Sequence, residues 1–447
     1  MAGGRIIDPG AGVDLLGDLL VREGRVEWLG AAGGEARSHG DRVLPDGCAV
    51  LRAKGLVVCP GFIDLHCHLR EPGFEEKETI ATGTEAAARG GFTAVCCMPN
   101  TSPPIDSAAA VATVQERARA GARVRVFPVG CVTGGRQGAG LTDMAGLAEA
   151  GVVGFSDDGS PVADAGLMRA ALERGRRLDL PVMDHCEDLS LTAGGVMNEG
   201  AAAMRLGLPG MPAAAEESMV QRDVELAEAT GSRVHIQHVS TAGSVALVRR
   251  GKEAGARVTA EATPHHLTLT EDCVEQCGAG AKVNPPLRTA RDVSALVEAL
   301  RDGVIDAVAT DHAPHTSKDK AGGLRPAAFG ISGLETALAV LLGLVHGGRL
   351  DLPALVARLT SGPAMVLARS AGGPVLSRYP VPPGLGGLHP GSPGDLVVFD
   401  PDCPWVADPS RFASKGRNTP WAGRALRGRV MATVVGGDVV YRDSSLD

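Results

Sequence analysis

The chain has 447 residues, 44% of them hydrophobic and only 3% aromatic, with a net charge of −8. That length can bury a large core and favours one big domain with a smaller companion. The negative balance, with no basic run interleaved with aromatics, argues against nucleic acid as a partner, and no stretch has signal-peptide or membrane-spanning character, so a cytoplasmic protein is expected.

Residues 1–55 show short alternating patterns ("GDLLVREGRVEWLG") between turn residues and read as the first part of a small β-domain. From residue 56 a rhythm sets in. The apolar runs "GFIDLHCH", "GFTAVCCMPN", "VRVFPVGCVT", "GVVGFSDDG", "LPVMDHCED", "RVHIQHVS", "RVTAEATPHH" and "IDAVATDHAPH" are mostly separated by helical patterns, at 77–89, 107–120, 164–178, 213–230, 242–255, 290–301 and 332–346. Eight strands alternating with helices imply a parallel sheet, and eight closes a TIM-like (β/α)8 barrel over residues 56–370. An open doubly wound sheet would give the same rhythm. The polar residues favour the barrel, because they gather at the C-terminal ends of the runs, which in a barrel share one rim. Residues 371–447 begin with a Pro/Gly-rich stretch to residue 394 that reads as a linker, then return to alternating patterns ("GDLVVFD", "RVMATVVGGDVVYRD") that complete the small β-domain from the other chain end.

The first barrel run, "GFIDLHCHLREPG", carries the strongest chemical signal. Strand periodicity puts Phe62, Asp64, His66 and His68 on one side and Ile63 and Leu65 on the other. Cys67 and Cys186 alternate with neighbouring histidines and should face away. All ten cysteines, at irregular spacings, read as buried thiols and not as a zinc finger or disulfide framework. A single histidine is most often a surface or hydrogen-bonded core residue. The set is more telling: His66, His68, His185 and His238 at strand ends, with Asp158 and Asp311 at two others. Imidazole and carboxylate suit zinc and similar ions, two ions need about this many ligands, and a carboxylate between two cations lowers their repulsion. The doublet Asp157–Asp158 leaves the bridging position open by one residue.

These residues resemble the metal-dependent amidohydrolases and, within them, the dihydroorotases whose metals are bridged by an Asp. The matching stretches are "GFIDLHCHLREPG", "KETIATGTEAAARGGFTAVCCMPNT", "GFSDDG", "DHCED", "EATPHHL", "NPPLR", "TDHAPH" and "FGISGLET", with "HPGSPGDLVVFD" resembling the family's tail. The resemblance implies reversible interconversion of N-carbamoyl-L-aspartate and dihydroorotate, in pyrimidine biosynthesis, with two Zn2+ per subunit. It assigns His66 and His68 to one metal, His185 and His238 to the second, Asp158 to the bridge, and Asp311 to metal binding and acid–base catalysis. Family register favours Asp158 over Asp157, which would face away or support its loop. His68, Arg70, Asn100 and His315 resemble substrate-holding residues, as do Asn284 and the backbone at Phe329–Gly330. Related hydantoinases carry a lysine on strand four, and "AGVVGFSDDG" has none. A homodimer, or a complex with aspartate transcarbamoylase, is implied by the resemblance alone.

The remaining histidines carry weaker signals: His265–His266 at the end of strand seven as support or an ordered pair, His312 shaping its loop, His235 as packing, and His39, His346 and His389 at the surface. Residues 316–330 have the composition of a mobile cover or of an ordinary exposed loop. The rival functions are a dihydropyrimidinase, hydantoinase or allantoinase, which Arg70, the strand-four acid and the "MPNT" and "NPPLR" stretches disfavour, and a non-catalytic scaffold for aspartate transcarbamoylase. A scaffold is expected to have lost ligands, whereas here every position is filled.

Overall fold

The structure is a computed structural model that describes residues 1–31 and 49–446; His39 lies outside them. Phe62–Cys67, Phe92–Cys97 and Arg125–Pro128 form one parallel sheet. Val182–Asp184, Val234–Ile236, Val258–Ala262 and Ala307–Val308 form another. Phe155 joins the two, bridging in parallel to Gly130 and to Val182, and a parallel bridge from Cys67 to His312 closes the opposite seam. The result is the expected (β/α)8 barrel, with its fourth strand reduced to the stretch around Phe155.

Most outer helices start at side-chain caps. Thr79, Ser107, Asp164, Thr241 and Thr289 each accept a backbone N–H three residues on, at the heads of Ile80–Arg89, Ala108–Gly121, Ala165–Leu178, Ala242–Glu253 and Ala290–Asp302. One further helix, Met144–Ala150, capped by Asp143, fills the interval before strand four where the sequence pattern showed none. It is two turns long, too short to display a periodic face. The seventh run also ends early: Thr263 caps a short helix, Pro264–Thr268, with proline at its first position, so His265 and His266 leave the strand.

Two apolar layers surround the strands. Ile63, Leu65, Ala94, Cys96, Met98, Phe127, Val129, Val153, Met183, Ala307 and Ala309 fill the barrel, joined by Val366, Leu367 and Leu385. Leu385 belongs to the Pro/Gly-rich stretch, which is therefore part of a packed core. The small sheet runs in the order Asp438–Arg442, Ala425–Val435, Leu396–Val406, Val57–Pro60, Gly4–Asp8, Val13–Arg22, Arg25–Ala31. Val57–Pro60, which the strand rhythm counts with the barrel, sits at its centre, parallel to Gly4–Asp8 and antiparallel to Leu396–Val406. Among the described residues no helix is long and apolar enough to cross a membrane.

Candidate metal and substrate site

Strict alternation fails in the first barrel strand. Asp64 pairs with Val95 but Cys67 with Cys97, so this strand holds one residue more than its neighbour. Such a bulge re-aims side chains. Ile63 and Leu65 point into the barrel core, and past the bulge His66 and His68 reach the rim site. Phe62 instead packs against Phe92 and Phe399, with centroids 5.8 and 6.2 Å away. Asp64 accepts hydrogen bonds from the backbone N–H of Thr310 (2.9 Å) and of His66 (3.2 Å). The expectation that Phe62 and Asp64 share a side with the histidines is thus corrected. Cys67 faces the helical layer, as its alternation with the histidines implied.

The rim brings the six expected donors together. Asp158 is central: its oxygens lie 3.3 Å from His66 Nε2, 3.6 Å from His68 Nε2, 3.4 Å from His185 Nδ1 and 3.7 Å from His238 Nε2. Asp311 Oδ1 lies 3.0 Å from His68 Nε2 and 3.6 Å from His66 Nε2. Asp157 turns away and accepts the Val132 and Thr133 N–H groups at 2.8 and 3.1 Å, which holds the loop after strand three. His238 and Asp311, with Arg70 beside them, take left-handed backbone conformations (φ 33°, 44° and 61°). Non-glycine residues enter that region at a cost of about 1–3 kcal/mol each and cluster at functional sites.

Polar groups behind the histidines hydrogen-bond to their far ring nitrogens and fix their orientation. Glu261, fully buried on strand seven, lies 3.0 Å from His66 Nδ1 and 3.0 Å from His235 Nε2. His235, expected only to pack, is a link in this chain. Asn100 lies 2.9 Å from His68 Nδ1 and donates to Asp158 at 3.1 Å. Glu187 lies 3.0 Å from His185 Nε2 and accepts from Asn284 at 2.8 Å. Glu261 and Glu187 were not singled out from sequence, although an acid within an otherwise apolar strand is the signal that marks Glu261.

The electrostatics of this set are uneven: burial and the Arg70 charge hold His68 below its usual value, while neighbouring acids favour charge on His66 and His185. Burial opposes protonation of His185, yet its bonds to Asp158 and Glu187 push it up to about 10. Burial likewise opposes ionisation of Glu261, but His235 and His66 hold it down to about 2. Burial also works against the Asp311 anion, and the His68 hydrogen bond with the nearby imidazoles outweighs it, keeping the carboxyl well below its usual range. A field that charges buried imidazoles is the field a divalent cation would meet. Among the described residues, the buried His66 Nε2 and His238 Nδ1 have no hydrogen-bond partner, and the ligand atoms of His66, His68 and Asp311, and of His66, Asp158 and His238, lie within 4.8 Å of one another. The donor chemistry therefore fits a metal. A third cluster, Asp184, Cys186 and Asp223, already holds a cation, the guanidinium of Arg222, 2.7 Å from Asp223.

Above these donors lies a cavity of about 240 Å³, whose walls include His68, Asn100, Asp158, Arg70, Asn284, Asp311, His315, Phe329 and Gly330. A larger cavity of about 740 Å³ lies between helix Ala337–His346 and the C-terminal sheet, but none of the six rim donors lines it. In the smaller one, His315 Nε2 is 2.8 Å from the Phe329 carbonyl. A carbonyl only accepts, so this nitrogen carries the proton and cannot also accept from Arg70 Nη2, 3.4 Å away. The end of the Arg70 guanidinium is left for a ligand. Gly330 donates to Lys282 O and accepts from Lys320 Nζ, both at 2.9 Å. Lys282 Nζ in turn holds the Leu324 and Ala327 carbonyls at 2.7 Å. Buried Lys282 and half-buried Lys320 thus tie residues 316–330 to the rim.

His266 is a structural link, placed between Thr263 Oγ1 (2.8 Å) and Pro285 O (2.9 Å). His265 is buried against it and lines no part of the cavity. His312 accepts from the Gly333 N–H at 3.1 Å and approaches Glu78 at 3.3 Å, so it shapes its loop. His346 and His389 lie apart, near Asp402 and Ser392.

A family model described as Dihydro-orotase-like matches residues 55–244, the stretch that contains His66, His68, Asp158, His185 and His238. Over 442 residues the chain is 50% identical to the dihydroorotase of Pelotomaculum thermopropionicum, covering 99% of this chain and 98% of that one. The chain belongs to the dihydroorotase family. A second dihydroorotase, from Anaeromyxobacter dehalogenans, is 49% identical over 100% of this chain and 98% of its own. Among solved structures, the L-hydantoinase (dihydropyrimidinase) of Arthrobacter aurescens superposes with a TM-score of 0.83 at 26% identity, covering 100% of this chain and 96% of that one. This dihydroorotase-family chain therefore shares its barrel and two-ended sheet with a hydantoinase, while its sequence follows the dihydroorotases.

Proposed function

We propose that the protein is a dihydroorotase, interconverting dihydroorotate and N-carbamoyl-L-aspartate. The observation that carries this reading is one carboxylate, Asp158, within 3.7 Å of four imidazoles, beneath a cavity whose wall presents the free end of Arg70. In this reading His66 with His68 and His185 with His238 would hold two Zn2+ ions, with Asp158 as a donor common to both pairs and Asp311 as the remaining donor. When bound, such ions polarise a carbonyl and activate water near neutral pH.

The chain's own residues do the rest. Arg70 offers a planar fork that matches the substrate carboxylate in two places. His315 and Asn100 flank the same pocket, and Asn284 faces the ring. Of the backbone groups at Phe329–Gly330, the Phe329 N–H is uncommitted among the described residues and is the one open to a ring oxygen. Asp311 lies at the floor, where its carboxylate can accept the proton of the attacking water. As the ring C–N bond breaks and hydroxyl adds to the carbonyl carbon, the same carboxyl returns that proton to the departing nitrogen. Ring closure runs the same transfers backwards and releases water.

The test pairs metal content with turnover. Zinc-loaded protein should hydrolyse dihydroorotate far faster than dihydrouracil or hydantoin. Preferential turnover of the rings without a carboxylate would replace this reading with a hydantoinase one, and absence of metal and of turnover would support a scaffold.

A further inference from the structure

The cavity wall that would meet the substrate carboxylate is held from outside the barrel. Residues 413–418 belong to the excursion between Leu396–Val406 and Ala425–Val435 of the small sheet, yet they lie across the rim. The Ala413 and Ser414 N–H groups donate to Glu335 at 3.0 and 3.3 Å, and Lys415 N–H donates to Glu78 at 3.2 Å. At Gly416 the backbone presses on the loop that follows Asp311: a Cβ there would lie 2.4 Å from Pro314 Cβ and 2.6 Å from Ser332 Oγ. Only glycine allows that approach.

Asn418 ends this strap. Its Oδ1 accepts from His315 N–H at 2.9 Å and lies 3.0 Å from Ser332 Oγ. Its Nδ2 donates to Ala313 O at 3.1 Å and to Gly330 O at 3.0 Å. Its own carbonyl accepts from Ser332 N–H at 2.8 Å. A primary amide has two donor hydrogens and two acceptor lone pairs, and here all four are used. All four of these side-chain bonds, two on each, fall on the two stretches of chain, 313–315 and 329–332, that carry His315 and Gly330. His315 has a second tie, through its ring to Phe329 O, so the amide closes a small rigid frame around the ring that stands beside Arg70.

We infer that Asn418 is a positioning residue for substrate selection: it fixes His315 and Gly330 so that the pocket beside Arg70 matches a ring bearing a carboxylate. This rests on the dihydroorotase reading. The small β-unit thereby supplies part of the specificity of a site whose reacting groups all come from the barrel.

The experiment uses zinc-loaded full-length protein with dihydroorotate, comparing wild type, Asn418→Ala, His315→Ala and the double variant, with Tm and zinc content recorded for each. Asn418→Ala should raise KM for dihydroorotate about tenfold or more, the scale of losing hydrogen bonds that position a charged-group contact, with a smaller fall in kcat and unchanged zinc content. Because Asn418 acts through His315, the double variant should be scarcely worse in KM than His315→Ala alone. Additive losses, or an unchanged KM, overturn the inference. Should Asn418→Ala fail to fold, Asn418→Asp decides: it keeps the acceptor for His315 but sets an oxygen against the Ala313 and Gly330 carbonyls, so its KM must rise as well. A wild type that does not turn over dihydroorotate refutes the functional reading and this inference with it, whereas an active wild type with unaffected Asn418 variants refutes the inference alone.

Discussion

Glu261 Oε1 lies 3.0 Å from His66 Nδ1, both side chains fully buried, so the imidazole is held with Nε2 towards Asp158 and Asp311. A carboxylate behind a ligating histidine fixes its tautomer and raises its basicity, and losing such a partner typically weakens metal binding about 10–100-fold. Glu261→Gln should weaken zinc binding by that order, measured by competition with a chelator. Unchanged zinc affinity would mean that Glu261 serves only to satisfy His235.

Asp311→Asn should leave the fold and much of the metal in place while removing most turnover. The residue sits among His68 and His66 in a strained backbone position at the end of strand eight. Proton transfer by a positioned side chain typically contributes about 10²–10⁴-fold in rate. Metal-loaded variant with near-normal turnover would disprove the proton-transfer role.

Arg70→Lys should act as a disruptive change despite keeping the charge. Lysine lacks the fork, and loss of a charge-assisted bond costs about 1.5–3 kcal/mol. KM for dihydroorotate should rise, while rings without a carboxylate should be little affected. Equal losses on both kinds of ring would show that Arg70 acts by holding Pro314 O, which its Nε approaches at 3.4 Å.

The strap anchor Glu335 gives a pH signature in stability. Burial pushes its carboxyl up to about 7, with the Ala413 and Ser414 N–H groups opposing in part. Unfolded, a glutamate titrates near 4.3. Between these values the folded state holds a proton that the unfolded state lacks. Its contribution is therefore full below about pH 4.3 and is lost as pH rises through about 7. The Tm of wild type should fall relative to that of Glu335→Gln across this window. Parallel Tm curves would show that the carboxyl is ionised throughout.

The barrel was legible because βα units repeat locally, and the donors because they recur at equivalent strand ends. What resisted reading depended on single residues and on distant partners. The face exposed past Asp64 is set by one extra residue against Val95–Cys97, which periodicity cannot register. Asp157 and Asp158 are chemically identical neighbours, distinguished by the Val132 and Thr133 N–H groups that capture one of them. Asn418 carries no local mark at all, since its meaning lies in contacts more than a hundred residues away along the chain, to Ala313 and His315.

The central strand of the small sheet, Val57–Pro60, has one neighbour at Gly4–Asp8 and the other at Leu396–Val406. A polypeptide leaving the ribosome meets the first partner at once but waits for most of translation before the second emerges. Local βα units form quickly, whereas pairings of such sequence separation are slow. Residues 413–418 arrive later still. A nascent chain would thus own every imidazole and both key carboxylates before it owned the amide that frames His315. Birth order separates the power to react from the ability to choose.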